Sequence, residues 1–447
     1  MTTPIVDFVR TYEKSTPVRF HMPGHKGKGP LGCEKFDITE IAGADVLYAP
    51  DGIIAASEAN ATALFGTAHS FYSTEGSTLA IKAMLALAAG SAPRGTRPLV
   101  LAARNVHKAF LYAAALLDLD VKWLTSDRDV HPVSAGLTAA DLEKALARCE
   151  KKPCAVYVTS PDYLGNVADI AALSAVCDRH GVPLLVDNAH GAYLKFLPES
   201  QHPMDLGATM CADSAHKTLP VLTGGAYLHI AKKAPAAFLA GAREALSLFA
   251  STSPSYLILQ SLDACNQALA TDFSRRLLEA IVRVKEARAA LTAHGYAVCA
   301  SEPMKLVIDA KKSGYTGTEL AELLAERRVL AEFADTDFLV LMCSPENGEE
   351  DFARLLAALL SLPQKEPIQA KKLPIFTPVQ VLSPREAMLA PAETVAVESA
   401  AGRICAAPAV SCPPAVPILM SGERVDETVI RLLLYYGYNT VRVVREA

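Results

Sequence analysis

Between residues 99 and 187, short apolar runs alternate with longer segments in which apolar residues recur at helical spacing. The pattern predicts strands over 99–101, 121–124, 155–158 and 184–187. It predicts helices over 107–117, 141–148 and 169–180, the last closed by Gly181. Repeated strand–helix units of this length imply a mainly parallel sheet with right-handed crossovers. A strand over 224–229, a helix over 236–249 and a turn at 251–256 opening a helical stretch to about 294 continue the series. Upstream, residues 53–71 show a mixed pattern. Small hydroxyl and glycine residues then precede an Ala/Leu-rich run from Leu79, marking a helix start with Ser77 or Thr78 as cap.

Beyond residue 300 the pattern shifts. Strands over 305–308 and 338–341 and helices over 318–328 and 350–362 form a compact α+β unit. A Pro/Lys-rich stretch precedes a last segment with a strand at 395–397 and a helix at 425–435. The expected division is an N-terminal arm (1–52), a large domain (53–295), a small α+β domain (296–363), a linker (364–378) and a C-terminal α+β domain (379–447).

Composition narrows the function. A chain of 447 residues, 51% hydrophobic and 20% charged, is globular. A formal net charge of −5 and the lack of a Lys/Arg block argue against nucleic acid as a partner. No window holds 18 uninterrupted apolar residues and the N-terminus lacks a signal pattern, so a cytoplasmic protein with no membrane partner is expected. The ten cysteines contain no C-x-x-C and read as reduced core residues.

The stretch from Arg19 to Gly29, rich in Gly, His and Lys, lacks the spacing of a phosphate-binding P-loop. Pro23 and Gly24 spoil His21 and His25 as a helical ligand pair, and no metal is expected. The stretch reads as a basic loop or as an arm closing over a site.

Two segments carry the chemistry. Leu184–Asp187 ends in a carboxylate at the carboxyl end of a buried strand, where open α/β sheets place their ligands. Downstream, Ser214-Ala215-His216-Lys217-Thr218-Leu219-Pro220 sets one lysine among small and hydrogen-bonding residues. An acid and an amine in these settings suit pyridoxal 5'-phosphate, which needs an amine for a Schiff base and an anion facing its pyridine nitrogen. The helix start at Gly76 and Ser77 offers N–H groups to a phosphate.

Eight stretches in order resemble the Orn/Lys/Arg decarboxylases, pyridoxal-phosphate enzymes of aspartate-aminotransferase-like fold (fold type I): RFHMPGHKG at 19, DITEI at 37, FYSTEGST at 71, NVHK at 105, VDNAHGA at 186, SAHKTLP at 214, STSPSY at 251 and PAVPILMSGE at 414. The short architecture is similar to the biosynthetic arginine decarboxylases of that family. The resemblance implies an α/β large domain with a mainly parallel sheet, a small α+β domain and a C-terminal α+β domain. The implied reaction is decarboxylation of arginine, lysine or ornithine, arginine favoured, to an amine that feeds polyamine synthesis. Lys217 matches the Schiff-base lysine, Asp187 the pyridine acid and His107 the histidine stacked on the ring. Gly76, Ser77, Ser214 and His216 match phosphate contacts, and His190 lines the ring. Thr252, in the 251–253 turn, is implied to reach a neighbouring subunit's phosphate, making a homodimer or larger homo-oligomer the active form. Lys217 or His216 is the expected proton donor to Cα, and Glu423 the carboxylate for the substrate's distal cation. Three positions depart from the family's pattern: Asn188 where glutamate is common, Glu75 where asparagine is common, and Gly224-Gly225 in place of Gln-Ala. The competing readings are another fold-type I reaction, such as aminotransfer or lyase chemistry, and a catalytically weakened regulatory homologue.

Overall fold

The computed structural model describes residues 1–124, 131–369, 378–408 and 415–446. Part of the expected linker at 364–378 and the first residue of the 414–423 stretch lie outside the described residues. In chain order the elements are α1 (Pro4–Lys14), α2 (Ile53–Phe65), β1 (His69–Ser73), α3 (Gly76–Ala89), β2 (Leu99–Ala103), α4 (Lys108–Leu116), β3 (Asp120–Leu124), α5 (Ala139–Ala147), β4 (Ala155–Thr159), α6 (Ile170–His180), β5 (Leu184–Asp187), β6 (Met210–Asp213), α7 (Ala215–Thr218), β7 (Ala226–Ile230), α8 (Ala236–Ser247), α9 (Tyr256–Thr271) and α10 (Phe273–Ala293). There follow β8 (Ala297–Val298), β9 (Lys305–Asp309), α11 (Gly317–Glu326), β10 (Phe333–Ala334), β11 (Phe338–Met342), α12 (Glu349–Leu360), α13 (Pro384–Leu389), β12 (Ala392–Ala396), β13 (Cys405–Ala407), α14 (Glu427–Tyr435) and β14 (Thr440–Val444).

The chain forms two compact units. The first comprises residues 1–92, 154–157 and 170–275. Its strands run in the order β1-β7-β6-β5-β4, with β5 parallel to β6 and β7 antiparallel to both its neighbours. Every residue of β5, β6 and β7 is buried; β5 and β7 read as apolar runs without alternation for that reason, whereas the short β6 was not expected from the sequence. Helix α1 is fastened at its N-terminus by a residue far along the chain. The Asp263 carboxylate accepts the backbone N–H groups of Ile5 (2.9 Å) and Val6 (3.0 Å), and also the Ser57 hydroxyl (2.6 Å). These two N–H groups are among the four that a helix start leaves unpaired, so a remote carboxylate takes the place of a local cap.

The second unit comprises residues 93–153, 158–169 and 276–447. Within it β2 and β3 pair in parallel. A four-stranded antiparallel sheet runs β10-β11-β9-β8, and a three-stranded one runs β12-β14-β13. Helix α14 packs Val429, Leu432 and Leu433 with Val441 and Val443 of β14 into a small core of its own. Among the described residues, no helix is long and apolar enough to cross a membrane.

The alternating elements from 99 to 187 appear where the pattern puts them, to within a few residues. Three expectations are corrected. Residues 53–71 are helix α2 and strand β1; the helical period is masked because the buried face of α2 carries Ser57 and Glu58, both of which find polar partners inside. Neither Ser77 nor Thr78 caps α3: the cap position is Glu75, which makes no side-chain capping bond, and both hydroxyl residues lie in the first turn. The long helical stretch after 256 is two helices, parted at Asp272.

Candidate active site

The first unit brings most of the expected site residues to the carboxyl ends of β5 and β6. Asp187 ends β5 and is 1% exposed; its carboxylate accepts the Tyr157 hydroxyl (3.1 Å) and the Ala189 N–H (3.2 Å). Burial raises its pKa above the usual carboxylate value, and the charge of Lys217 pulls in the opposite direction. An acid in that condition welcomes a further cationic partner, which is the role a protonated pyridine would fill.

Lys217 sits in the single turn of α7, four residues beyond the end of β6, and its Nζ lies 2.9 Å from His190 Nε2. His190, buried, follows Asp187 by three residues, so the strand that delivers the acid also delivers the lysine's neighbour. Ser214, at the start of α7, donates its hydroxyl to that of Ser77 (2.7 Å), joining the two segments expected to hold a phosphate. His216 Nδ1 bonds the Gly225 carbonyl (3.0 Å), which places the ring proton on Nδ1, and burial lowers its pKa. A neutral imidazole with its proton so committed is a poor donor.

Two of the departures from the family pattern have structural reasons. Gly224 has φ +100, and a Cβ there would come within 2.9 Å of the Thr74 carbonyl oxygen; its own carbonyl accepts the Gly76 N–H (2.7 Å). The glycine thus lets the 222–225 turn close onto the loop before α3. Glu75 accepts the backbone N–H of Ser251 (2.7 Å), holding the turn that contains the exposed Thr252.

His107 and Glu423 belong to the second unit. His107 is the N-cap of α4, its ring nitrogen accepting the Ala109 N–H (3.1 Å). Glu423, expected to meet a substrate cation, is fully buried against a guanidinium of its own chain. Its two oxygens accept from Arg104 (2.5 and 3.0 Å), and it also accepts the Met420 N–H (2.8 Å). The pair ties the segment ahead of His107 to the 418–423 segment, and the Lys108 N–H to Ala415 carbonyl bond (2.9 Å) repeats the tie. Taking the charge from the fully buried Glu423 weakens both of its bonds to Arg104, whose side chain is 17% exposed. Glu423→Gln is therefore expected to cost about 3 kcal/mol of stability, read as a lowered denaturation midpoint.

The residues missed in the sequence are partners rather than principals. Tyr157 lies on β4 in an otherwise apolar run, and one polar hydroxyl in such a run was the available signal. Arg104 stands directly before the NVHK stretch.

These residues fit pyridoxal phosphate. Asp187 would supply the buried anion, Lys217 the amine, and Ser77 and Ser214 the hydroxyls. The position a Cβ would take at Gly76 meets no atom within 4 Å, leaving a cradle at the start of α3. Fold and site define a pyridoxal-phosphate-dependent enzyme of fold type I.

Residues 3–299 match the family described as Orn/Lys/Arg decarboxylase, major domain, and residues 367–439 match the C-terminal domain of the same family. The chain belongs to the Orn/Lys/Arg decarboxylase family and is a decarboxylase of basic amino acids. It is 29% identical to the arginine decarboxylase of Bacillus cereus over 94% of this chain and 96% of that protein. It is 24% identical to the constitutive lysine decarboxylase of Escherichia coli over 62% of this chain and 42% of that protein. The solved structure of the latter superposes with a TM-score of 0.79 at 21% identity, covering 99% of this chain and 82% of that one. A Sphingomonas wittichii serine palmitoyltransferase superposes at 0.54 with 16% identity, covering 69% of this chain and 75% of that one.

Proposed function

We propose that this enzyme decarboxylates arginine, that the amine feeds polyamine synthesis, and that it works in the cytoplasm as a homodimer or larger homo-oligomer. The observation that carries arginine is coverage: the likeness to the Bacillus cereus arginine decarboxylase runs through more than nine-tenths of both chains, whereas that to the lysine decarboxylase covers under half of the relative.

Pyridoxal phosphate, when bound, supplies an electron sink conjugated with the substrate's Cα. The chain's residues hold and direct it. Asp187 keeps a negative charge beside the pyridine nitrogen in a site dry enough for that charge to matter. Ser77, Ser214 and the first turn of α3 receive the phosphate, using hydroxyl and N–H donors without adding a competing amine. Lys217 would carry the cofactor, and its Nζ would hold the proton destined for Cα. This role suits Lys217 better than His216, whose proton is bound to the Gly225 carbonyl. His190 sits against Nζ and orients it. His107, its ring oriented by the cap bond from the Ala109 N–H, would face the cofactor ring as the family resemblance implies. Thr252, exposed in its own subunit, serves the neighbour's phosphate.

Incubating the purified enzyme separately with arginine, lysine and ornithine, and identifying the amine released, tests this reading. Arginine is expected to turn over at least about tenfold faster than the others. A preference for lysine or ornithine would overturn the substrate assignment, and a keto acid product would overturn decarboxylation itself.

A further inference from the structure

Behind the cofactor pair lies a fully buried polar cluster. Asn188 donates its side-chain amide to Asp213 Oδ1 (2.7 Å). The other Asp213 oxygen accepts from His202 Nε2 (2.9 Å) and His229 Nε2 (3.2 Å), and Cys211 Sγ lies 3.3 Å from Oδ1. Asn188, Cys211, Asp213, His202 and His229 are all 0% exposed. Burial on its own would raise the Asp213 pKa, but the two histidines outweigh it and hold the group well below the carboxylate range. His202 Nδ1 accepts the Met204 N–H (3.3 Å), so its proton sits on Nε2, directed at Asp213. His202, Cys211 and Asp213 are close enough to share a metal ion, but a ring with its proton on Nε2 has no lone pair there to give one.

The place of this cluster in the chain gives it a task. Asn188 follows Asp187 directly, and Asp213 ends the strand whose continuation is the turn carrying Lys217. Asp187 lies opposite Ala212 in the parallel pairing of β5 and β6, and the Asn188 N–H bonds the Ala212 carbonyl (2.9 Å). The Asn188–Asp213 bond adds a side-chain tie one step beyond the last ladder position. His229, opposite Cys211 on β7, and His202 hold Asp213 from other directions.

We propose that Asn188 and Asp213 are positioning residues that fix the acid Asp187 relative to the turn bearing Lys217, with His202 and His229 as their support. This rests on the reading of Lys217 and Asp187 as the cofactor pair. The residue type at 188 follows from the charge at 213. A carboxylate there would meet Asp213 at hydrogen-bonding distance in a dry interior, and two such groups cannot both stay ionised. An amide makes the tie without a second charge, leaving Asp187 as the anion available to the pyridine.

The test is a donor–acceptor exchange in the full-length enzyme. In Asn188→Asp the amide donor is replaced by a carboxyl that must either take up a proton to keep the bond or repel Asp213, and the dissociation constant for pyridoxal phosphate, followed at alkaline pH by the visible band of the Lys217 adduct, is expected to rise about ten- to a hundredfold. The double variant N188D/D213N restores a donor facing an acceptor and is expected to bring that constant back to within about threefold of the unaltered enzyme, with its band intact. A purely structural pair would lower the melting temperature but leave the cofactor's affinity and band unchanged. That result for N188D, or a double variant that binds cofactor no better than N188D or does not fold, overturns the proposal. Absence of a Lys217-dependent band in the unaltered enzyme would instead overturn the cofactor pair on which the proposal rests.

Discussion

Replacing Lys217 with alanine is expected to lower decarboxylation by at least about a thousandfold, the scale of losing a positioned group that both carries the reactant and moves a proton. The loss has two components. In the proposed reading Nζ is the amine that joins the cofactor to the protein and the group that protonates Cα. The imidazole of His190 lies 2.9 Å from Nζ, and His216 is tied to the Gly225 carbonyl. Adding a small primary amine to the variant should restore a measurable fraction of the proton-transfer rate. Trapping of the cofactor on the protein by borohydride should not return, because the added amine condenses with the cofactor without linking it to the chain. Wild-type turnover by K217A would refute the assignment.

Asp187→Asn is expected to reduce kcat by about a hundred- to a thousandfold, as when a preorganised electrostatic partner is removed, while leaving the apoenzyme no less stable. The reason lies in the direction of its pKa. Burial raises the carboxyl's pKa in the folded state, so at neutral pH the ionised form costs stability. The folded protein binds this proton more readily than the unfolded chain does, so this group's contribution to stability falls as pH rises from the unfolded to the folded pKa. Above that interval the cost is fully present, and below it the cost is gone. The near-isosteric amide has no charge to desolvate and can still accept the Ala189 N–H. Activity and melting temperature should therefore separate. A variant with normal kcat, or one markedly less stable than the parent, would exclude Asp187 as the anion held ready for the pyridine. The same logic separates Asp187 from Glu423, whose ion pair with Arg104 makes its loss a matter of stability first.

How much of this could be read in advance depends on the range of the interaction. Strand β5 was legible to the residue, because four buried residues ending in an acid form a local pattern. The motif around Lys217 was legible as chemistry, although a turn of helix was not expected there. Helix α2 was not legible, since its buried face holds polar residues whose partners lie some 200 residues away, as Ser57 does with Asp263. Glu423 shows the same limit from the other side: a lone acid in a family-like stretch invites a ligand role, and only the fold reveals the arginine that neutralises it.

By itself the sequence determined the α/β class and the cofactor and put forward Lys217 and Asp187 as its candidate pair, because these rest on residue types and family-like stretches that survive without coordinates. The tertiary structure alone decided the partners: Tyr157 on Asp187, His190 on Lys217, and Asn188 joined to Asp213 between two histidines. Such pairings bring together groups distant in sequence, and their energies come from burial, a property of the packed chain that no local pattern records.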